Sequence, residues 1–202
     1  MKDKINLGCG FGKLDTHWNV DSSKMCGPDQ VVDLEVFPWP WEDNSFDEIY
    51  AKDILEHLGP TPKDFIKILQ EMVRISKPQA VWKVIVPHWR CDLAYDDPTH
   101  IRVITSSTFK MFDQEKNVEA YNNRRSDSML GLLNNIDVEI SDVKYNIIEY
   151  WLKEVENQNL TNKQLDLKLN TLNNVAESTE ITLLVHKPCR FTSWAEKFIG
   201  EK

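Results

Sequence analysis

At 202 residues, 41% of them hydrophobic and 28% charged, the chain suits one domain with a sizeable core and is not disordered. No apolar run is long enough to span a membrane and no charged-then-apolar leader opens the sequence, so a cytoplasmic protein with no membrane partner is expected. A formal charge of -8 argues against tight nonspecific binding of nucleic acid, which needs many lysine and arginine contacts to phosphate.

The chain opens on a short apolar strand, Lys4–Leu7, that runs into Gly8, Gly10 and Gly12. Further strands are expected at Trp18–Asp21, Gln30–Leu34 and Phe46–Ala51, followed by a helix from Ile54 to Leu58. Pro60 and Pro62 interrupt, and Pro62 suits the first turn of a second helix, Lys63–Ser76. Its apolar residues Phe65, Ile68, Leu69, Met72, Val73 and Ile75 fall at helical spacing, and Lys77–Pro78 end it. Ala80–Pro87 is an apolar run broken by Lys83, read as a strand buried on both faces. A long connection from His88 to Asn135 holds one helix, Ser107–Phe112. Val138–Tyr150 and Glu180–His186 are the last two strands. Between them one inserted helix is expected within 152–178, where Thr161 and Gln164 have capping-box spacing and Leu165, Leu169, Leu172 and Val175 share a face. Strands alternating with helices give an α/β fold with a mainly parallel sheet, as one domain over 1–202 with no linker.

Asp21 and Asp33 each follow an apolar run at a strand end. A glycine turn after the first strand, with acids at the next two strand ends, is how a doubly wound sheet holds a nucleoside. Gly8, Gly10 and Gly12 allow sharp turning and close approach of a ligand to the backbone. Only eight residues, 13–20, separate Gly12 from Asp21. A nicotinamide-binding fold puts a full helix there, with the pyrophosphate at its N-terminus. The short loop therefore disfavours a nicotinamide-dependent oxidoreductase and predicts a truncated first helix. As bland alternatives, Asp21 and Asp33 are turn formers or helix caps, and Trp39 and Trp41 line the ligand pocket or pack at the surface.

The segments NLGCGFGK, WNVDSS and VVDLEVFPWPWEDNSFDEIYAKDILEHL, with YDDPTHIRVITSSTF more weakly, resemble the class I S-adenosylmethionine-dependent methyltransferases, in their compact methyltransferase-11-like branch. The resemblance implies a Rossmann-like, doubly wound, seven-stranded sheet with an antiparallel last strand, and S-adenosylmethionine as cofactor. It places Gly8, Cys9 and Gly10 against the methionine and ribose portions and Asp21 on the ribose hydroxyls. Asp33 and Leu34 would bracket the adenine, and Ala51, Lys52 and Asp53 would flank the sulfonium. Asn6 departs from the pattern by standing where many relatives carry an acid. The chain also begins only three residues before its first strand, without the helices that often cover substrate.

Methyl transfer from a sulfonium needs positioning and sometimes proton removal. His88, His57 and His100 are the candidate bases, each able to titrate near neutrality; structural roles for His57 and His100 are the alternative. His88, Asp92, Asp96 and His100 invite a metal reading, but nothing in the sequence makes that stretch converge, so no metal is expected. The four cysteines, Cys9, Cys26, Cys91 and Cys189, form no CxxC pair and read as reduced thiols. Pro188–Cys189 follows the last strand, out of place for a nucleophile. The acceptor is expected to be a small molecule or a sugar, with nucleic acid disfavoured and a homodimer left open. A non-catalytic cofactor-binding or scaffold protein is the rival reading.

Overall fold

The computed structural model describes residues 2–194. Seven strands, β1 (Lys4–Leu7), β2 (Trp18–Asp21), β3 (Gln30–Val31), β4 (Phe46–Lys52), β5 (Ser76–Pro87), β6 (Val138–Ile147) and β7 (Ala176–Val185), form one sheet in the order β3-β2-β1-β4-β5-β7-β6. The first five pair in parallel, and β7 runs antiparallel between β5 and β6. This is the mainly parallel, seven-stranded α/β sheet expected from the sequence. The chain winds outward in both directions from β1 and β4, so the carboxyl ends of those strands form the switch point where such sheets bind ligands.

Strand register explains why the core lies on one side. Ile5, Ile49, Trp82 and Leu183 stand in one row across the sheet, and Leu7, Ala51, Val84 and Ile181 in the next; all eight are buried in one cluster. Helix α1 (Pro62–Ile75) covers them with Phe65, Ile68, Leu69, Met72 and Ile75. Thr61 starts this helix by accepting the Asp64 N–H, and Pro62 occupies the first turn, where a missing N–H costs nothing. The chain then passes straight into β5. Ser76 makes the junction: its hydroxyl donates to Met72 O at 2.7 Å and accepts the indole N–H of Trp82 at 2.9 Å.

The opposite face is polar. Asn19, Asn6, Tyr50, Lys83, Thr182 and Asp142 form a continuous cross-strand row. Beside it Glu48 accepts from His17 Nε2 at 2.9 Å and pairs with Lys83 at 3.0 Å. Burial works to raise the Glu48 carboxyl but is outweighed by the Lys83 and His17 hydrogen bonds, so its pKa falls. The expectation that β5 is buried on both faces is therefore corrected: Val81 and Lys83 are half-buried. The physical reason is connectivity. No α-helix separates β1 from β2, β2 from β3 or β3 from β4, only a 3-10 turn at Lys24–Cys26, and those are the crossovers that would carry helices over the second face. The first helix is thus absent from the described residues, a stronger form of the truncation expected.

Other boundaries also move. Strand β3 stops at Val31, before the Leu34 expected. The helix expected at Ile54–Leu58 is a pair of turns, with His57 N–H bonding Ile54 O and Leu58 N–H bonding Leu55 O. Asp53 before it and Gly59 after it both have positive φ, which leaves too few right-handed residues to propagate a helix. The connection after β5 holds four short helices, α2 (Leu93–Asp96), α3 (Ser106–Lys110), α4 (Gln114–Asn122) and α5 (Leu130–Asn134), where one was expected. The insertion between β6 and β7 forms two helices, α6 (Glu149–Glu156) and α7 (Asn162–Thr171), and the Thr161–Gln164 capping box is present in α7. Leu172 and Val175 fall beyond α7, although Val175 still packs with Leu169 and Leu165. After β7, Arg190 ties the chain back to the body by pairing with buried Asp137 at 2.8 Å and Asp113 at 2.7 Å.

Candidate active site at the carboxyl edge of the sheet

The glycine loop leaves β1 in two left-handed steps, Gly8 at φ 62° and Gly10 at φ 48°. These are backbone conformations that glycine adopts at no steric cost. The two glycines differ in surroundings. A Cβ at Gly8 would collide with the Ile54 side chain, whereas a Cβ at Gly10 would meet nothing within 4 Å. Gly10 therefore borders open space, the cradle a ligand needs against bare backbone. Asn6 holds the loop from beneath. Its amide donates to Gly12 O at 3.1 Å and to Asn19 Oδ1 at 3.0 Å, a donor role that an ionised acid could not fill.

Asp21 closes the loop on the other side. Its Oδ2 accepts the Gly10 N–H at 2.9 Å and its Oδ1 the Ser23 N–H at 2.8 Å. Each carboxylate oxygen keeps a second lone pair, so the group remains an acceptor for a diol. Cys9 is buried, and burial first, then Cys26 and Asp21, push its thiol up to about 11, which keeps it protonated near pH 7. Asp33 forms a turn on itself by accepting the Glu35 N–H, while Leu34 is buried and its carbonyl accepts the Trp39 indole. Trp39 and Trp41 are core residues, 2% and 4% exposed, and do not pack at the surface. Sequence reasoning missed Phe11 and Met25, which are 85% and 88% exposed on the segments following β1 and β2. Their signal was an apolar side chain inside a polar loop.

At the end of β4, Ala51 is buried beneath exposed Lys52 and Asp53. The Asp53 N–H bonds Ile85 O at 2.9 Å. Desolvation by surrounding protein raises its carboxyl pKa against the pull of Lys52, His100 and His57. The turn after it presents His57, whose ring lies 4.6 Å from that of His100, edge to face. The structure thus brings together His57 and His100, which are far apart in sequence. His88 stands apart from them, 2% exposed, packed against Trp89 and Tyr145, with Nδ1 accepting the Arg90 N–H. Burial and then Arg90 lower its pKa, so it is neutral near pH 7. The set His88, Asp92, Asp96 and His100 does not converge; among the described residues His100 groups with Glu56 and His57. Sequence reasoning passed over Glu56, which is 2% exposed and has a pKa pushed up to about 7, chiefly by burial. A cleft of about 400 Å³ lined by Ser107, Lys110, Lys116 and Arg125 holds none of these residues.

Residues 5–82 match the family model described as a methyltransferase domain. This stretch runs from β1 into β5 and carries the glycine loop, Asp21, Asp33 and the end of β4 described above. The chain has the fold of the class I S-adenosylmethionine-dependent methyltransferases, and residues 5–82 match the methyltransferase-domain model. S-adenosylmethionine is the cofactor of this domain, and the open cradle at Gly10 together with the acceptor-only Asp21 fits it. No curated protein matches the sequence. Among solved structures, the fold is similar to a SAM-dependent methyltransferase from Archaeoglobus fulgidus, at 17% identity and a TM-score of 0.54, covering 90% of this chain and 85% of that one. It is also similar to the YcgJ protein of Bacillus subtilis, at 15% identity and a TM-score of 0.52, covering 91% of each chain. A methyltransferase from Methanosarcina mazei aligns at 14% identity and a TM-score of 0.50, covering 92% of this chain and 94% of that one. Among the described residues, no helix is long and apolar enough to cross a membrane.

Proposed function

We propose that the protein transfers the methyl group of S-adenosylmethionine to a small-molecule or sugar acceptor at the carboxyl edge of β1, β4 and β5. The observation that carries this reading is the Gly10–Asp21 clasp, an open backbone turn bonded to a carboxylate at the next strand end. In this reading Asp21 accepts from the ribose hydroxyls, Gly8, Cys9 and Gly10 lie along the methionine and ribose, and Asp33 with Leu34 borders the adenine. Phe11 and Met25 supply the apolar surface that an adenosyl group covers. Ala51, Lys52 and Asp53 border the sulfonium end.

The cofactor supplies an activated methyl group open to in-line attack. The chain's own residues align the acceptor, exclude water and, where the acceptor needs it, hold a proton. His57 and His100 stand at the strand edge for that purpose. His88, enclosed by Trp89 and Tyr145 at the end of β5, is the third candidate base. The net charge of -8 favours a small or neutral acceptor over a polyanion.

The test is transfer of radiolabelled methyl from S-adenosylmethionine to a panel of small molecules, sugars, RNA and DNA. Label should enter a small-molecule or sugar fraction and leave RNA and DNA unlabelled. Stoichiometric cofactor binding without transfer to any member of the panel would favour a non-catalytic cofactor-binding protein instead.

A further inference from the structure

Glu56 is the most anomalous side chain in the structure. It lies between buried Leu55 and Leu58 in the turn after β4, is 2% exposed, and has no hydrogen-bond partner on either carboxylate oxygen. A buried carboxylate with nothing to bond is strongly disfavoured unless it holds a proton or a cation. Arg102 lines the same small cavity but is spent elsewhere. Its guanidinium donates to Leu58 O and Gly59 O and stacks over Phe65. Asp53, just before the turn, adds further negative potential at Glu56.

Two imidazoles share the place. One ligand atom from each of Glu56, His57 and His100 lies within 4.8 Å of the others. The backbone clamps the two segments together, with Ile101 N–H bonding Glu56 O at 3.0 Å. The two Nδ1 nitrogens are already committed. Thr99 donates its hydroxyl to Asp97 Oδ1 at 2.6 Å, so its oxygen accepts from His57 Nδ1 at 2.9 Å. Ala94 O can only accept, so His100 Nδ1 carries a proton toward it at 3.2 Å. With Nδ1 donating in both rings, Nε2 is the nitrogen left to bind an ion. This is the outer support that metal-binding histidines receive in known sites.

We propose that Glu56, His57 and His100 bind a divalent transition-metal ion. Two imidazoles and one carboxylate suit zinc, cobalt, manganese or ferrous iron, while magnesium and calcium prefer oxygen donors alone. Bonds of about 2.0–2.2 Å would draw the three ligand atoms to roughly 3.3 Å apart, a closure within reach of side-chain rotation. Three protein ligands leave a position for water or for an acceptor oxygen, where the ion acts as a Lewis acid. Bound in this way, His57 and His100 are ligands and not bases. The ion-binding claim stands whether or not the acceptor reading above holds.

The test uses the full chain, stripped by dialysis against a chelator and titrated with Co²⁺ by calorimetry and visible absorption. One Co²⁺ per chain is expected, with ligand-field bands and no thiolate-to-cobalt charge transfer. Glu56→Gln and His100→Gln should each lower the affinity at least tenfold while circular dichroism of the stripped protein stays at wild type. His100→Gln, on a partly exposed loop, keeps the test decisive if the Glu56 variant fails to fold. Zn²⁺ should raise the melting temperature of the wild type and of neither variant. The proposal is overturned by absence of stoichiometric binding or by wild-type affinity in a folded variant. It is equally overturned by a thiolate band lost in Cys26→Ser, which would put the ion at the Cys9–Asp21–Cys26 group.

Discussion

Replacing Asp21 with alanine separates the two tasks given to this carboxylate. In the free protein it accepts the Gly10 N–H at 2.9 Å and the Ser23 N–H at 2.8 Å. Gly10 and Asp21 are both partly exposed, so water can replace the lost acceptors and the fold survives with a small loss of stability. Bound cofactor has no such substitute, because the ribose hydroxyls then face a methyl group. Losing a hydrogen bond to a charged group costs about 1.5–3 kcal/mol, or roughly ten- to 150-fold in affinity. Isothermal titration of Asp21→Ala with S-adenosylmethionine should show that weakening, with far-ultraviolet circular dichroism unchanged. Asp21→Asn keeps one acceptor and should fall between wild type and alanine. Unchanged affinity in a folded Asp21→Ala would refute the reasoning, since it would mean that the Gly10–Asp21 clasp organises a loop and not a ligand.

The two glycines should respond differently to alanine. Gly10→Ala places a methyl in open space at positive φ, so about 1–2 kcal/mol of backbone strain should accompany near-complete loss of cofactor binding, read by melting and calorimetry. Gly8→Ala adds a collision with Ile54 and should unfold at markedly lower temperature; Ile54→Ala in the same chain should recover part of that loss, and no recovery would contradict the collision. Arg190→Met removes the charged partner of Asp137, whose side chain is 0% exposed and keeps only the backbone N–H donors of Gln114 and residue 190, and should cost about 3–5 kcal/mol in urea unfolding because the counter-charge of a buried carboxylate is lost. His88 has a folded pKa below its ordinary value, so below pH about 6.5 the unfolded chain binds more protons and stability falls as pH falls. Thermal melts from pH 7.5 to pH 5 should show a shallower decline in His88→Gln than in wild type, and parallel declines would contradict the assignment.

The sheet was legible because its strands are short apolar runs whose ends coincide with glycine, aspartate or proline. Lys83 inside β5 is a local sign that this face is uncovered, but a single lysine in an apolar run does not separate an open face from a covered one. Helix α4 escaped notice for a physical reason: its buried residues are Gln114, Asn117 and Ala120, so no apolar period marks it. The Ile54–Leu58 segment carries helical composition, yet positive φ at Asp53 and Gly59 leaves it no room to extend. In the candidate site, Gly8, Gly10 and Asp21 could be placed because they sit at strand ends. The grouping of Glu56 with His57 and His100 depends on the long-range Ile101–Glu56 hydrogen bond and had no local signature. Only the carboxylate set between Leu55 and Leu58 hinted that this side chain turns inward.

The account rests most heavily on where the cofactor sits, and an amide-resolved NMR titration of the wild-type chain with S-adenosylhomocysteine tests that directly. Saturable shifts should concentrate at residues 8–12, 21–23, 33–35 and 51–54, with the amides of α6 and α7 little changed. Saturable shifts centred elsewhere, or a folded chain whose spectrum stays fixed throughout the titration, would contradict it.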